Sequence, residues 1–164
     1  MKERAIFLDR DGVINKQPAE HDYVKNWEEF IWLPTSKEAI KLINQKGFLA
    51  IVISNQRGVA RGLMTVKDVD DVNEKMQKDL AKIGAKLDAV YWCGHDYSDN
   101  CDCRKPAPGL ILQAAKDFNI DLSNSWVVGD SNDDIQAGKA VGCKTLKIKT
   151  NGSLLDAVKK ILKN

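Results

Sequence analysis

Apolar runs alternate with helical patterns along this chain. Ala5-Ile-Phe-Leu-Asp9 reads as a buried strand that ends in a carboxylate. Thr35-Ser-Lys-Glu38 has the form of a capping box and predicts a helix that Gly47 ends. Leu49 to Ser54 is a second buried strand. Thr65-Val-Lys-Asp68 resembles another capping box, and the helix it opens runs to about Gly84 with Val69, Val72, Met76, Leu80 and Ile83 on one face. Ala89 to Cys93 is a third strand. Pro108 marks the start of a helix through Leu110, Ile111, Ala114 and Phe118. Trp126 to Gly129 is a fourth strand, followed by a short helix from about Asp133 to Ala140, a strand from Lys144 to Ile148 and a last helix capped by Ser153. Strands in alternation with helices predict an α/β fold, a doubly wound and mostly parallel sheet covered on both faces. Ligand sites in such sheets lie at the carboxyl ends of the strands. Asp9, Ser54 and Asp130 fall at, or one residue past, three such ends, so the pattern alone gathers them at one edge.

At 164 residues, the length fits one domain, taken as residues 1–164. With 43% hydrophobic and 29% charged residues the composition is globular rather than disordered. The longest apolar runs are too short to span a bilayer, and the first residues lack the form of a signal peptide, so a cytoplasmic location and no membrane partner are expected. A formal charge of +2 is too small a bias to imply nucleic acid. A monomer is expected. Lys159, Lys160 and Lys163 read as the solvated face of the last helix. Trp27, Phe30 and Trp32 are expected to pack over the sheet edge, and Cys143 to be a core thiol. With four Cys and no export signal, disulfides are not the default.

Four polar clusters carry the candidate chemistry. Asp9 and Asp11, two residues apart at the end of a buried strand, point the same way in an extended segment and make either a cation site or an acid/base pair. Gly129-Asp130-Ser131-Asn132-Asp133-Asp134 crowds three carboxylates after the fourth strand. A divalent cation would relieve their repulsion, although Asp133 and Asp134 also suit a helix N-terminus. Ser54-Asn55-Gln56, followed by Arg57-Gly58-Val59-Ala60-Arg61-Gly62, offers hydroxyl, amide and backbone N–H groups suited to phosphate oxygens. Arg104 and Lys105 would set a positive field for an anionic substrate.

Taken in order, Asp-x-Asp-Gly-Val, Ser-Asn, Arg-Lys-Pro and Gly-Asp-x-x-x-Asp resemble the haloacid dehalogenase (HAD) superfamily. The branch they resemble most holds heptose 1,7-bisphosphate phosphatases and histidinol-phosphate phosphatases. The resemblance spans Ile6 to about Ile148. It implies a Rossmann-like core and an Mg2+-dependent phosphatase with a sugar-phosphate substrate, a heptose bisphosphate ahead of histidinol phosphate or a nucleic-acid 3′-phosphate. It implies Asp9 as nucleophile, Asp11 as general acid and base, Ser54 and Lys105 on the phosphoryl group, and Mg2+ at Asp9, Asp11 (through its carbonyl) and Asp130. Arg104, Asn55, Gln56 and the segment with His21 and Tyr23 would contact the rest of the substrate. Ser131 departs from the Lys of the heptose enzymes.

Cys93-Gly-His95 and Cys101-Asp-Cys103 place three sulfurs and one imidazole within eleven residues, matching a closed Cys3His structural Zn2+ site over a loop of about 93–103. The bland alternative is unrelated surface thiols and a turn His. The polar stretch Asp96 to Asn100 buries too little to order itself, so a metal would fix it. No segment is long enough for a large cap domain, so an open site covered by loops is expected.

Overall fold

The computed structural model describes residues 1–164. The expected strands form in the expected order: β1 (Ala5–Leu8), β2 (Leu49–Asn55), β3 (Ala89–Cys93), β4 (Trp126–Gly129) and β5 (Lys144–Lys147). They make one parallel sheet in the order β3-β2-β1-β4-β5, with Phe7 of β1 opposite Ile51 of β2 and Val127 of β4. The helices are α1 (Ser36–Gln45), α2 (Val66–Ala81), α3 (Gly109–Phe118), α4 (Asn132–Ala140) and α5 (Leu154–Leu162). None of them is long and apolar enough to cross a membrane.

Strand alternation divides the core in two. Ile6 and Leu8 face a cluster built with Ile40 and Ile43 of α1, Val72, Met76 and Leu80 of α2, and Leu154, Val158 and Ile161 of α5. Ala5 and Phe7 face the other cluster, built with Leu110, Ile111 and Ala114 of α3 and Ala137 of α4. Both faces are therefore covered, which is why every strand but the edge ones is apolar at successive positions. Trp27, Phe30 and Trp32 pack against the first core cluster: the Trp27 and Phe30 rings stack at 4.8 Å, and Trp32 donates its indole N–H to Asp79 of α2 at 2.9 Å. Cys143 is buried, and burial pushes its thiol up to about 11.

Two local expectations differ from the structure. The Thr65–Asp68 box is present with both reciprocal bonds, but Thr35 makes no cap bond to α1. Its hydroxyl instead lies 3.2 Å from the Ser153 hydroxyl and accepts the Leu155 N–H, so a contact with α5 replaces the local one. The second difference lies at the end of α2. The helix stops at Ala81, and Ile83 lies beyond it, 36% exposed, so the apolar face ends at Leu80.

Candidate functional site

The strand order reverses between β1 and β4, and the residues that follow these strands flank that crevice. Asp9 leaves β1, Asp130 leaves β4, and Ser54 and Asn55 end β2. A cavity of about 390 Å³ opens there, lined by Asp9, Asp11, Asn55, Lys105, Asp130 and Asp134 among others. Gly12 has a backbone φ of +90°, and a Cβ at this position would overlap the Asp130 carboxylate, so the Asp11–Gly12 turn admits only glycine. Gly129 is needed for a different reason, since a Cβ there would overlap the Asp134 side chain.

Lys105 is the hub. It is 4% exposed, and its Nζ donates to Asp9 Oδ1 at 3.0 Å, to Asp134 Oδ1 at 2.6 Å and to the Ile53 carbonyl at 2.8 Å. Burial alone would depress its pKa, but the Asp9 and Asp134 carboxylates outweigh burial and hold it above the usual range. Asn55 clasps the Lys105 backbone in both directions, accepting its N–H at 3.0 Å and donating to its carbonyl at 3.1 Å. Asp9 is pushed well above the usual carboxylate range, first by burial, against the pull of Lys105, and then by the charges of Asp134, Asp130 and Asp11. Carboxylate oxygens of Asp9, Asp130 and Asp134 lie within 4.8 Å of one another; Lys105 and Ser131 take up Asp134, which leaves Asp9 Oδ2 and the Asp130 carboxylate as oxygen donors that fit a hard divalent ion.

Asp11 lines the same cavity. Its Oδ1 accepts from Arg10 Nε at 3.1 Å and Asn15 Nδ2 at 2.9 Å, and its Oδ2 from Gln56 Nε2 at 3.4 Å. Gln56 is fully buried and off the cavity wall, its Nε2 also donating to Ser54 Oγ at 2.8 Å. The expected substrate contact of Gln56 is thus replaced by contacts to two site residues, with its side chain wholly buried. Ser54 is 2% exposed and is also off the wall.

His21, Tyr23 and Arg104 are brought together in an adjoining cavity of about 280 Å³ with Asn55, Arg57 and Tyr97. His21 is exposed, with φ +62°. Two guanidinium groups lie over the Tyr97 ring, Arg57 at 4.5 Å and Arg104 at 4.2 Å from its centre.

Cys93, His95, Cys101 and Cys103 converge, with their ligand atoms within 4.8 Å of one another. His95 Nδ1 lies 3.3 Å from Cys93 Sγ and 3.2 Å from Cys103 Sγ, and Cys93 and Cys101 sulfurs are 3.7 Å apart. All four thiols of the chain are free. Burial pushes Cys101 up, but the backbone N–H groups of Arg104 and Cys103 outweigh it and bring it down to about 6. Burial and the neighbouring thiols push Cys103 up. A tetrahedral ion fits this set and would release the protons of the high-pKa thiols on binding. The polar stretch between the two pairs also orders through its own bonds. Asp96 caps a 3-10 turn over Tyr97–Asp99 and accepts from Arg57 at 2.7 Å.

Arg10 and Tyr97 join these clusters without having been expected there, whereas Asp134 and Arg57 lie in the polar segments of the sequence without a role of their own there. Asp134 had a signal as the last residue of Gly-Asp-x-x-x-Asp, but it also suits a helix N-terminus, where it does sit as the reciprocal partner of Ser131.

The HAD-hydrolase-like family model matches residues 102–162. The D-glycero-beta-D-manno-heptose-1,7-bisphosphate 7-phosphatase of Pseudomonas aeruginosa is 38% identical over 150 residues, 92% of this chain and 83% of that protein. The protein of the same name from Helicobacter pylori is 42% identical over 136 residues, 82% of this chain and 76% of that one. The crystal structure of the D,D-heptose 1,7-bisphosphate phosphatase of B. bronchiseptica, complexed with magnesium and phosphate, superposes with a TM-score of 0.91 at 31% identity, covering 98% of both chains. A phosphomonoester hydrolase fold with no large cap, this chain belongs to the HAD-like family of these heptose-bisphosphate phosphatases.

Proposed function

We propose that the chain removes the 7-phosphate of a D-glycero-D-manno-heptose 1,7-bisphosphate through an aspartyl-phosphate on Asp9. The observation that carries this is the 3.0 Å contact between Asp9 and the buried Lys105 in a cavity that Asp11 also lines. The names of the relatives support the choice of substrate.

Asp9 attacks phosphorus as its carboxylate. Lys105 holds Asp9 Oδ1 and offsets the charge that gathers on the phosphoryl oxygens. Asp11 gives a proton to the sugar oxygen as the P–O bond to the sugar breaks. In the second half Asp11 takes a proton from water, the water oxygen bonds phosphorus, and the bond to Asp9 breaks, releasing inorganic phosphate and restoring both carboxyl groups. Ser54, behind the cavity wall, accepts from Gln56 Nε2, so it steadies the amide beside Asp11 Oδ2 rather than meeting the phosphoryl group directly. Asp9, Asp130 and the Asp11 carbonyl would hold Mg2+, which supplies neutralisation of the dianionic phosphate beside three carboxylates. Cys93, His95, Cys101 and Cys103 would hold a Zn2+ whose role is to fix the loop that leads into Arg104 and Lys105. Arg104, Asn55, Tyr23 and His21 are the groups for the far end of the substrate.

Phosphate release is measured from a heptose bisphosphate, its monophosphate, histidinol phosphate and a 3′-phosphorylated oligonucleotide. The bisphosphate is expected to have the highest kcat/KM, and Asp9→Asn to lower its rate about a thousandfold or more. A better rate on histidinol phosphate or on the oligonucleotide overturns the substrate. Substantial turnover by clean Asp9→Asn overturns the nucleophile.

A further inference from the structure

We propose that Arg10 and Asn15 are positioning residues that pin the carboxylate of Asp11, so that Oδ2 alone exchanges the proton with the leaving group. The proposal rests on the phosphatase reading, in which Asp11 is the acid and base.

Arg10 stands between the two aspartates, where the chain bends after β1. Asp9 and Asp11 line the cavity, whereas Arg10 is 1% exposed and lies behind its wall. Its guanidinium reaches back to Asp11 Oδ1 through Nε at 3.1 Å and out to Asn73 Oδ1 on α2 through Nη1 at 3.3 Å, while Nη2 is buried with no partner. Burying a guanidinium with an unmet N–H group costs stability, and an apolar side chain of similar volume would fill the space without that cost. What Arg10 adds, and an apolar residue cannot, is a directed, charge-assisted hydrogen bond to Asp11.

That bond selects one oxygen. Asp11 Oδ1 accepts two N–H groups, Arg10 Nε and Asn15 Nδ2, the latter at 2.9 Å. An oxygen whose two lone-pair directions both face N–H donors has no room to carry a proton. Oδ2 meets only Gln56 Nε2, at the long distance of 3.4 Å. Asn15 is itself fixed, being fully buried and bonded also to the Lys16 carbonyl. Two anchored donors on Oδ1 stop the carboxylate from rotating and keep Oδ2 in one place. Proton transfer to a leaving oxygen is sensitive to such placement at the level of about 0.5 Å. Proton transfer matters most when the leaving group is a poor one.

The test compares two esters. A simple alkyl phosphate such as glycerol phosphate leaves as an alkoxide that must be protonated, whereas p-nitrophenyl phosphate leaves as a stable phenolate that needs no proton. For both, kcat/KM covers the steps up to transfer of the phosphoryl group to Asp9. Arg10→Gln is expected to lower kcat/KM for the alkyl ester about ten- to a hundredfold more than for the aryl ester, the scale of one lost charged hydrogen bond. Asn73→Ala, which only releases the far end of the guanidinium, serves as the second variant should Arg10→Gln not fold. It is expected to skew the ratio the same way by about threefold. Equal losses on both esters, in whichever variants fold, overturn the positioning role and leave the phosphatase reading intact. A wild-type protein inactive on every phosphate ester overturns that reading, and the proposal with it.

Discussion

Replacing Lys105 by Met tests how the buried charges of the site are held. Met keeps most of the length and volume of the lysine stem but removes the ammonium group, which ends a side chain 4% exposed and is bonded to Asp9, Asp134 and the Ile53 carbonyl. Asp134 is 1% exposed, so the variant strands a carboxylate that has only Ser131 N–H and hydroxyl left as partners. Removing one partner of a buried pair costs about 3–5 kcal/mol, because the other charge stays out of water. With a urea m-value of about 2 kcal/mol/M, the midpoint should fall by about 1.5–2.5 M. Adding Asp134→Asn removes the stranded charge, and the double variant should recover about 0.5–3 kcal/mol relative to the sum of the single changes. Urea unfolding followed by circular dichroism, at neutral pH and without added divalent ions, reads all four proteins. A midpoint shift under about 0.5 M for Lys105→Met with unchanged m would refute the reasoning, since it would mean water reaches the pair and screens it.

The other expectations concern metal, substrate and one tyrosine. Purified wild type should carry about one zinc per chain and Cys101→Ser clearly less, read by elemental analysis, as a Cys3His set requires. Equal contents would count against the loop site. Arg104→Ala should cut the preference for a sugar bisphosphate over its monophosphate about ten- to a hundredfold in kcat/KM, while sparing a simple aryl phosphate. Burial, and after it the 2.6 Å hydrogen bond to Asp117, push Tyr91 up to about 12. Its pKa is higher in the folded than in the unfolded chain, so its contribution to stability is whole below about pH 10 and disappears as pH rises through about 12. Asp117→Asn should therefore make the protein less sensitive to alkali over that window, as measured by unfolding midpoints at a series of pH values.

Much of the fold is written in local signals. Each strand of the sheet except the edge strand β5 is a short apolar run, and the alternation of Ile6 and Leu8 with Ala5 and Phe7 between the two core clusters follows from the two-residue period of a strand. The Thr65 cap is visible because its partner is three residues away. The Thr35 box misleads for the opposite reason. Its hydroxyl finds Ser153 and Leu155, about 120 residues on, and no local pattern carries that information.

The site divides along the same line. Asp9, Asn55 and Asp130 stand where strand ends place them, so knowledge of the sheet suffices to bring them to one cavity. The residues that serve them behave differently. Gln56 carries an amide that suits a ligand, yet its side chain is fully buried and binds Ser54 and Asp11. Arg10 carries a charge that belongs on the surface by composition, yet it is among the largest fully buried side chains. Asp134 hides behind a sufficient local explanation as a helix-cap partner while also holding Lys105. In each case the missing information is the direction of a side chain, and that direction is set by a partner distant in sequence: Asn73 for Arg10, Lys105 for Asp134, Asp11 for Gln56. A group whose position follows from the backbone can be found by pattern. A group whose position follows from a buried hydrogen bond cannot, and the acid/base carboxylate of this site depends on groups of the second kind.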